Sequence, residues 1–346
     1  MIRCLRCVMP NSRPDTAFVD GVCSACLSYE RRPKIDWVER RMRLVELLKR
    51  HNNRCIVASS GGKDSHYQVL TLQELHAEVT AVTATTCHLT PIGRYNIDNL
   101  ARYARTIEVT PNRTVRAKLN RLGLQLVGDI SWPEHVSIFT TPFKVAKALG
   151  VNLIFYGENP QDQYGGPLGT DQVREMTRRW VSEFGGFLGL RPSDLIGQQG
   201  LTAQDLEDYM PPRDLPAQLE AHFLGQYIPW DSHRNAELAQ RAGMRVIVPC
   251  SANLWMGENL DNAQTGLHDY FMFLKYGYGR GCAQASVDVR AGLWPRDKAL
   301  AWVEKHDGLF PYKYAEVQVS KVLERIGMNF SELTAIIERF KCSQPA

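Results

Sequence analysis

Six consecutive residues of this 346-residue chain, Ser60-Gly61-Gly62-Lys63-Asp64-Ser65, combine the groups that hold a chain of phosphates. They follow a short apolar run, Cys55 to Ala58, and precede a helical pattern that is clear from His66. Backbone N–H groups of a glycine loop and of a helix N-terminus form an anion cradle. Ser60 and Ser65 add hydroxyl donors, Lys63 adds positive charge, and Asp64 offers a carboxylate to Mg2+. The stretch is not a Walker A loop. That pattern needs glycine where Val57 stands, and Ser or Thr where Asp64 follows the lysine. Nor is it a G-x-G-x-x-G dinucleotide turn. The bland alternative is a chance Gly-Gly turn.

A second chemical pattern lies at the N-terminus. Cys4-x-x-Cys7 and Cys23-x-x-Cys26 frame a link containing the turn formers of "PNSRP" and "DGVC". Two C-x-x-C pairs at this spacing read as a tetrahedral Zn2+ site of structural kind, holding a small module that has too little core of its own. Cys55, Cys87, Cys250, Cys282 and Cys342 are scattered, and a buried small hydrophobe is the default for each.

The formal charge of +4 is too mild to demand a nucleic-acid partner. The segment Arg31–Arg54 carries nine Lys or Arg against three acids, and reads as the solvated face of a helix. No apolar run is long enough to span a membrane, and "MIRCLRCVMP" lacks the apolar core of a signal peptide, so a cytoplasmic protein is expected.

These groups need a scaffold. Asp36–Lys49 and His66–Leu75 are helical by pattern; Cys55–Ala58 and the β-branched Glu78–Thr86 read as strands. "GRYNIDNLARYAR" and "FKVAKALG" are helical, Ile107–Thr110 reads as a strand, and "VNLIFYGEN" is a strand and loop. Alternating strands and helices predict an α/β fold, a doubly wound parallel sheet with helices on both faces. The loop then lies beyond the carboxyl end of a strand, where such sheets bind ligands. The stretch Gly165 to about Met244 reads as a substrate region, "RVIVPCS" returns to strand character, and the tail is helical with a cap at Asn329 and Glu332. The division expected is 1–30 zinc module, 31–165 nucleotide domain, and 166–346 substrate-binding, mainly helical region.

"SGGKDS" after a strand resembles the PP-loop of the ATP-pyrophosphatase superfamily. With "CLRCVMPNSRPDTAF", "GVCSACLSYE", "TPIGRYNIDNL", "WPEH", "IFYGENPQDQYGG" and "TGLHDYFMFLKYGYGR", nearly the whole chain resembles the bacterial N-acetyl sugar amidotransferases of O-antigen and related lipopolysaccharide pathways. The resemblance implies cleavage of ATP between its α and β phosphates, adenylation of an acetamido oxygen on a nucleotide-activated N-acetyl sugar, and its replacement by ammonia to give an acetamidino group. It implies two partners, a class I glutaminase subunit and a cyclase-like barrel protein that channels ammonia. It also implies that Thr85, with Thr83 and Thr86, lies where the adenosine is contacted.

Further candidates are weighed beside it. In "YGEN", Gly157, Glu158 and Asn159 end an apolar strand at the same sheet edge. Glu158 is read as orienting Mg2+ or binding ribose, and Asn159 as a hydrogen-bonding partner of nucleotide or substrate; a solvated turn is the alternative. In "KYGYGRG", Lys275 and Arg280 are read as a clamp on a diphosphate, with a Gly-rich turn bearing surface cations weighed equally. His88, His135, His233 and His268 are given no catalytic role. The competing functions are a PP-loop tRNA-modifying enzyme, a thiolase or lysidine-type ligase, and a zinc-ribbon interaction protein without turnover.

Overall fold

The computed structural model describes residues 1–341; Cys342 lies outside the described residues. The chain begins with the hairpin β1 (Phe18–Val19) and β2 (Val22–Cys23), then α1 (Ser24–Arg31) and α2 (Trp37–Arg50). An alternating run follows: β3 (Arg54–Ala58), α3 (Lys63–Glu74), β4 (Glu78–Ala84), α4 (Pro91–Leu100), β5 (Arg105–Val109), α5 (Arg113–Val127), α6 (Trp132–Leu149) and β6 (Leu153–Tyr156). Then come α7 (Pro160–Tyr164), α8 (Arg178–Phe184), β7 (Glu220–Phe223) and α9 (Ser232–Arg241). The remainder is α10 (Thr265–Tyr276), α11 (Arg280–Arg290), α12 (Arg296–His306), the hairpin β8 (Lys313–Tyr314) and β9 (Val317–Gln318), α13 (Val319–Arg325) and α14 (Phe330–Phe340).

The central sheet has five strands in the order β5-β4-β3-β6-β7, and every pairing is parallel. Alternation along the strands explains why it is covered twice. Cys55 and Val57 join Leu44, Leu48, Val69, Leu72 and Phe155 on one face. Ile56, Val82 and Ile154 join Ala146, Trp180 and Phe223 on the other. Strands buried on both faces carry nearly continuous apolar sequence, which is why they stand out in the residue pattern. The order reverses between β3 and β6, so the loops leaving these two strands diverge and open a crevice at their carboxyl ends.

Two expectations are revised. Arg245–Ser251 is not a strand. Its backbone is bound by a side chain instead: Asn96 donates to the Arg245 carbonyl at 3.0 Å and accepts from the Arg245 N–H at 2.8 Å. The fifth strand comes from the stretch read as a substrate region, because Glu220–Phe223 pairs with Leu153–Tyr156 at the sheet edge. The tail follows its pattern; Asn329 and Glu332 form a reciprocal capping box at the start of α14. Among the described residues no helix is long and apolar enough to cross a membrane.

Candidate active site

The loop 59–65 turns directly from β3 into α3. Gly61 has φ +76°, and a Cβ there would meet Ile97 Cγ1 at 2.6 Å and Ile97 Cα at 2.9 Å, so α4 presses on a backbone that only glycine tolerates. The Ser60 N–H donates to Ser65 Oγ at 3.1 Å, and the Gly61 N–H to Ser59 Oγ at 3.1 Å. The serines thus keep the loop in shape. The first-turn N–H groups of α3, which have no partner within the helix, point out of its N-terminus.

Lys63, which opens α3, is buried. Its amine lies 2.5 Å from Asp64 Oδ2 and 2.9 Å from Glu258 Oε2. Burial works against the charge of this amine, but Asp64, Glu258 and Glu158 outweigh it and hold the pKa well above the usual lysine range. The same cluster acts oppositely on Glu158. Burial first, and then the neighbouring Asp64 charge, push its carboxyl up to about 7. Glu258 goes the other way, since Lys63 and Arg280 overcome burial and lower it. Asp64, Glu158 and Glu258 thus surround one ammonium, and of these Asp64, at the wall of the crevice, offers a carboxylate to a divalent cation. Asp64 is fixed from a third direction: Asn235 on α9 donates to Asp64 Oδ1 at 2.9 Å.

The crevice at these strand ends is a cavity of about 300 Å³. One side carries Ser59, Ser60, Asp64 and Ser65; β4 contributes Val82 and Ala84; β6 leads to Gly157 and Glu158. The far side carries Glu134, His135, Asp261, His268 and Arg280. Arg280 binds both carboxylate oxygens of Asp269, at 2.9 and 3.2 Å, which aims its guanidinium into the crevice. Glu134 is held by Arg116 at 2.9 Å and Asn120 at 2.8 Å.

Ser60, Asp64, Ser65, Gly157, Glu158 and Arg280 therefore meet at one cavity, with Gly61, Gly62 and Lys63 in the adjoining loop and first turn. The clamp of Lys275 with Arg280 is not assembled. Lys275 lies in the last turn of α10, Arg280 begins α11, and the left-handed Gly277 cap redirects the chain between them. The Lys275 amine donates to the Val127 carbonyl at 3.1 Å and is not at the cavity wall. Asn159 caps α7, accepting from the Gln161 N–H at 3.0 Å and donating to the Thr170 carbonyl at 2.7 Å. Thr85 is buried at the end of β4, between Ala84 and Thr86, and these two neighbours rather than Thr85 line the crevice. The residues not singled out from the sequence are Glu258, Asn235 and Asp129, while His135 and His268, weighed there without a role, stand at the cavity wall. One signal was present: Gly-Glu-Asn at 157–159 recurs at 257–259, and both glutamates face Lys63.

The four N-terminal cysteines are buried and close together. Cys4 Sγ lies 3.8 Å from Cys26 Sγ, and Cys7 Sγ lies 3.7 Å from Cys23 Sγ. Thiolates at the Zn–S bond length on a tetrahedron stand about 3.8 Å apart, so the set fits zinc. The N–H groups of Arg6, Met9 and Cys23 point at these sulfurs. Asp20 and Gly21 both have positive φ in the β1–β2 turn, as a tight hairpin requires. The module is docked on the C-terminal helices: Arg296 donates to the Cys4 and Cys7 carbonyls, and Arg290 reaches Cys7 Sγ and the Gln163 carbonyl. Through Ser24 to Gly166 and Arg13 to Gly165 it also ties down the segment beyond α7.

Residues 254–345 match the family model described as "LPS biosynthesis protein WbpG-like, C-terminal domain". The match agrees with the recognition of a lipopolysaccharide-biosynthesis protein from sequence, and it includes Glu258, His268 and Arg280. It does not extend to the loop 60–65. No curated protein matches the chain.

Proposed function

We propose that the chain is an ATP-dependent, AMP-forming amidotransferase that converts an acetamido group of a nucleotide-activated N-acetyl sugar into an acetamidino group. The observation that carries this reading is the meeting of loop 60–65, Asp64, Glu158 and Arg280 at one crevice on the carboxyl edge of the sheet. The chemistry needs such a site. An amide carbon resists attack because its nitrogen donates into it, and water at about 55 M outcompetes dilute ammonia unless excluded.

The loop N–H groups, the Ser60 and Ser65 hydroxyls and Lys63 would hold the β and γ phosphates. The acetamido oxygen attacks the α phosphorus, and pyrophosphate departs. Ammonia then adds to the activated carbon; the C–O bond breaks, and AMP leaves with the oxygen that was the acetamido oxygen. The amidine keeps the proton as a cation. Asp64 would hold Mg2+, with Glu158 orienting it, and the ion when bound neutralises the phosphate oxygens. Arg280, already oriented by Asp269, suits bidentate binding of a phosphate on the sugar side. Zinc on Cys4, Cys7, Cys23 and Cys26 would be structural. Ammonia would come from a class I glutaminase subunit through a cyclase-like barrel partner.

The test is to supply ATP, Mg2+ and ammonium salt with either nucleotide-linked N-acetyl sugars or tRNA. The proposal expects AMP with the sugars only, and a sugar product one mass unit lighter. AMP dependent on tRNA would replace this reading with a tRNA-modifying one, and no AMP with either would favour a non-catalytic scaffold.

A further inference from the structure

Three side chains outside the phosphate-binding part of the crevice converge on a single point. Asp129 follows the left-handed Gly128 cap of α5, His135 lies in the first turns of α6, and His268 lies in the first turn of α10. Asp129 Oδ1 is 2.8 Å from His268 Nδ1, and Asp129 Oδ2 is 3.2 Å from His135 Nδ1. One ligand atom from each residue lies within 4.8 Å of the others. The imidazoles are edge to face with centroids 5.1 Å apart. Asp129 is only 3% exposed, whereas both histidines line the cavity.

A plain reading is that Asp129 orients two imidazoles by hydrogen bonds. His268 fits that reading. His135 does not: its Nδ1 is buried and close to Asp129 Oδ2, yet it makes no hydrogen bond of acceptable geometry. A buried ring nitrogen without a partner is costly. A cation between the three atoms would satisfy it, since coordination needs only the nitrogen lone pair and not an N–H direction. Bonds of about 2.1 Å on a tetrahedron set ligand atoms about 3.4 Å apart, close to the 3.2 Å between Asp129 Oδ2 and His135 Nδ1. The Asp129 Oδ1 also accepts from the Ser131 N–H at 2.8 Å, the kind of outer contact that fixes a ligating carboxylate.

We propose that Asp129, His135 and His268 form a site for a divalent cation of the zinc class, separate from the four-cysteine site and from the Mg2+ carboxylates. Two imidazoles and one carboxylate make three protein ligands, and the remaining positions open on the crevice. There the ion would accept an oxygen donor of whatever occupies the cavity. The site does not depend on the reaction proposed above.

The experiment is a Co2+ titration of the full chain, followed by absorption spectroscopy, for the wild type and for His135→Ala and His268→Ala. Cobalt in the four-cysteine site shows thiolate charge transfer; cobalt held by two imidazoles and a carboxylate does not. With Mg2+ in excess to keep the Asp64 carboxylate site occupied, the wild type is expected to bind one equivalent with charge transfer and one without it. Each variant should keep the first and weaken the second by at least about 100-fold, the upper end of what losing even an outer-shell partner costs. A wild type that binds cobalt only with thiolate charge transfer would overturn the site, whatever the variants do. So would a second equivalent that persists unchanged in both folded variants, which would mark adventitious binding elsewhere.

Discussion

The Lys63 amine lies 2.9 Å from Glu258 Oε2, and these two residues come from opposite halves of the chain. One opens α3 in the glycine loop 60–65 and the other lies in the segment matched by the lipopolysaccharide family model. The C-terminal region therefore completes the loop's charge balance. Lys63→Met should leave Asp64, Glu158 and Glu258 without their shared counter-ion. Removing one partner of a buried pair costs about 3–5 kcal/mol. Chemical denaturation should show a loss of this size, and AMP formation should fall by more than about 100-fold, as expected when an electrostatic donor to the transition state is removed.

The raised pKa of Glu158 gives a pH dependence with a definite sign. Folding lifts this carboxyl from the ordinary glutamate range to about 7. Between those values the folded state binds more protons than the unfolded one, so stability falls as pH rises. The effect is fully present by about pH 7.5 and amounts to about 3 kcal/mol. Glu158→Gln removes it. The difference in unfolding free energy between wild type and variant, measured from pH 4.5 to 8, should drift steadily in favour of the variant. A flat difference would contradict the burial and charge argument.

Gly61→Ala tests the loop backbone. An alanine at φ +76° is strained, and its Cβ would strike the backbone of Ile97. The fold should survive with a loss of about 1–3 kcal/mol, the usual range for backbone strain of this kind. Pyrophosphate affinity, read by calorimetry, should fall far more than the stability loss alone explains.

Zinc removal should be felt at a distance. The four-cysteine module is clamped to α11 and α12 and holds Gly165 and Gly166 in place. Cys23→Ser, or strong chelation, should lower Tm by roughly 10 °C, corresponding to a few kcal/mol in a chain of this size. Urea titration monitored at Trp294 and Trp302, which pack against this cluster, should report the same loss.

What could be read from the residues alone depended on range. The β3–β6 strands, helices α3 and α4, the end of α6 and the α14 cap are local patterns, and so are the loop and the cysteine pairs; α5 and the first half of α6 were not read from the sequence. Asn235 was invisible because nothing near it in sequence states what it faces, and Glu258 was marked only by the repeated Gly-Glu-Asn. They reach Lys63 and Asp64 only because α9 packs on α3 and the 254–262 segment folds over the crevice. Lys275 illustrates the converse. It sits beside a promising glycine turn, but one left-handed residue, Gly277, sends it away from Arg280. The edge strand β7 is short and carries His222 and Glu220, so its alternation gives little signal against a loop-rich background.

The central claim is that the acetamido oxygen is activated by adenylation in this crevice. It is tested most directly by following that oxygen. A nucleotide-linked N-acetyl sugar labelled with ¹⁸O in its acetamido group is turned over with ATP, Mg2+ and ammonium, and the AMP is analysed by mass spectrometry. The account predicts that AMP acquires the label in proportion to amidine formed, and that Asp64→Asn abolishes both together. Amidine formed with unlabelled AMP, or unchanged turnover in the Asp64 variant, would contradict it.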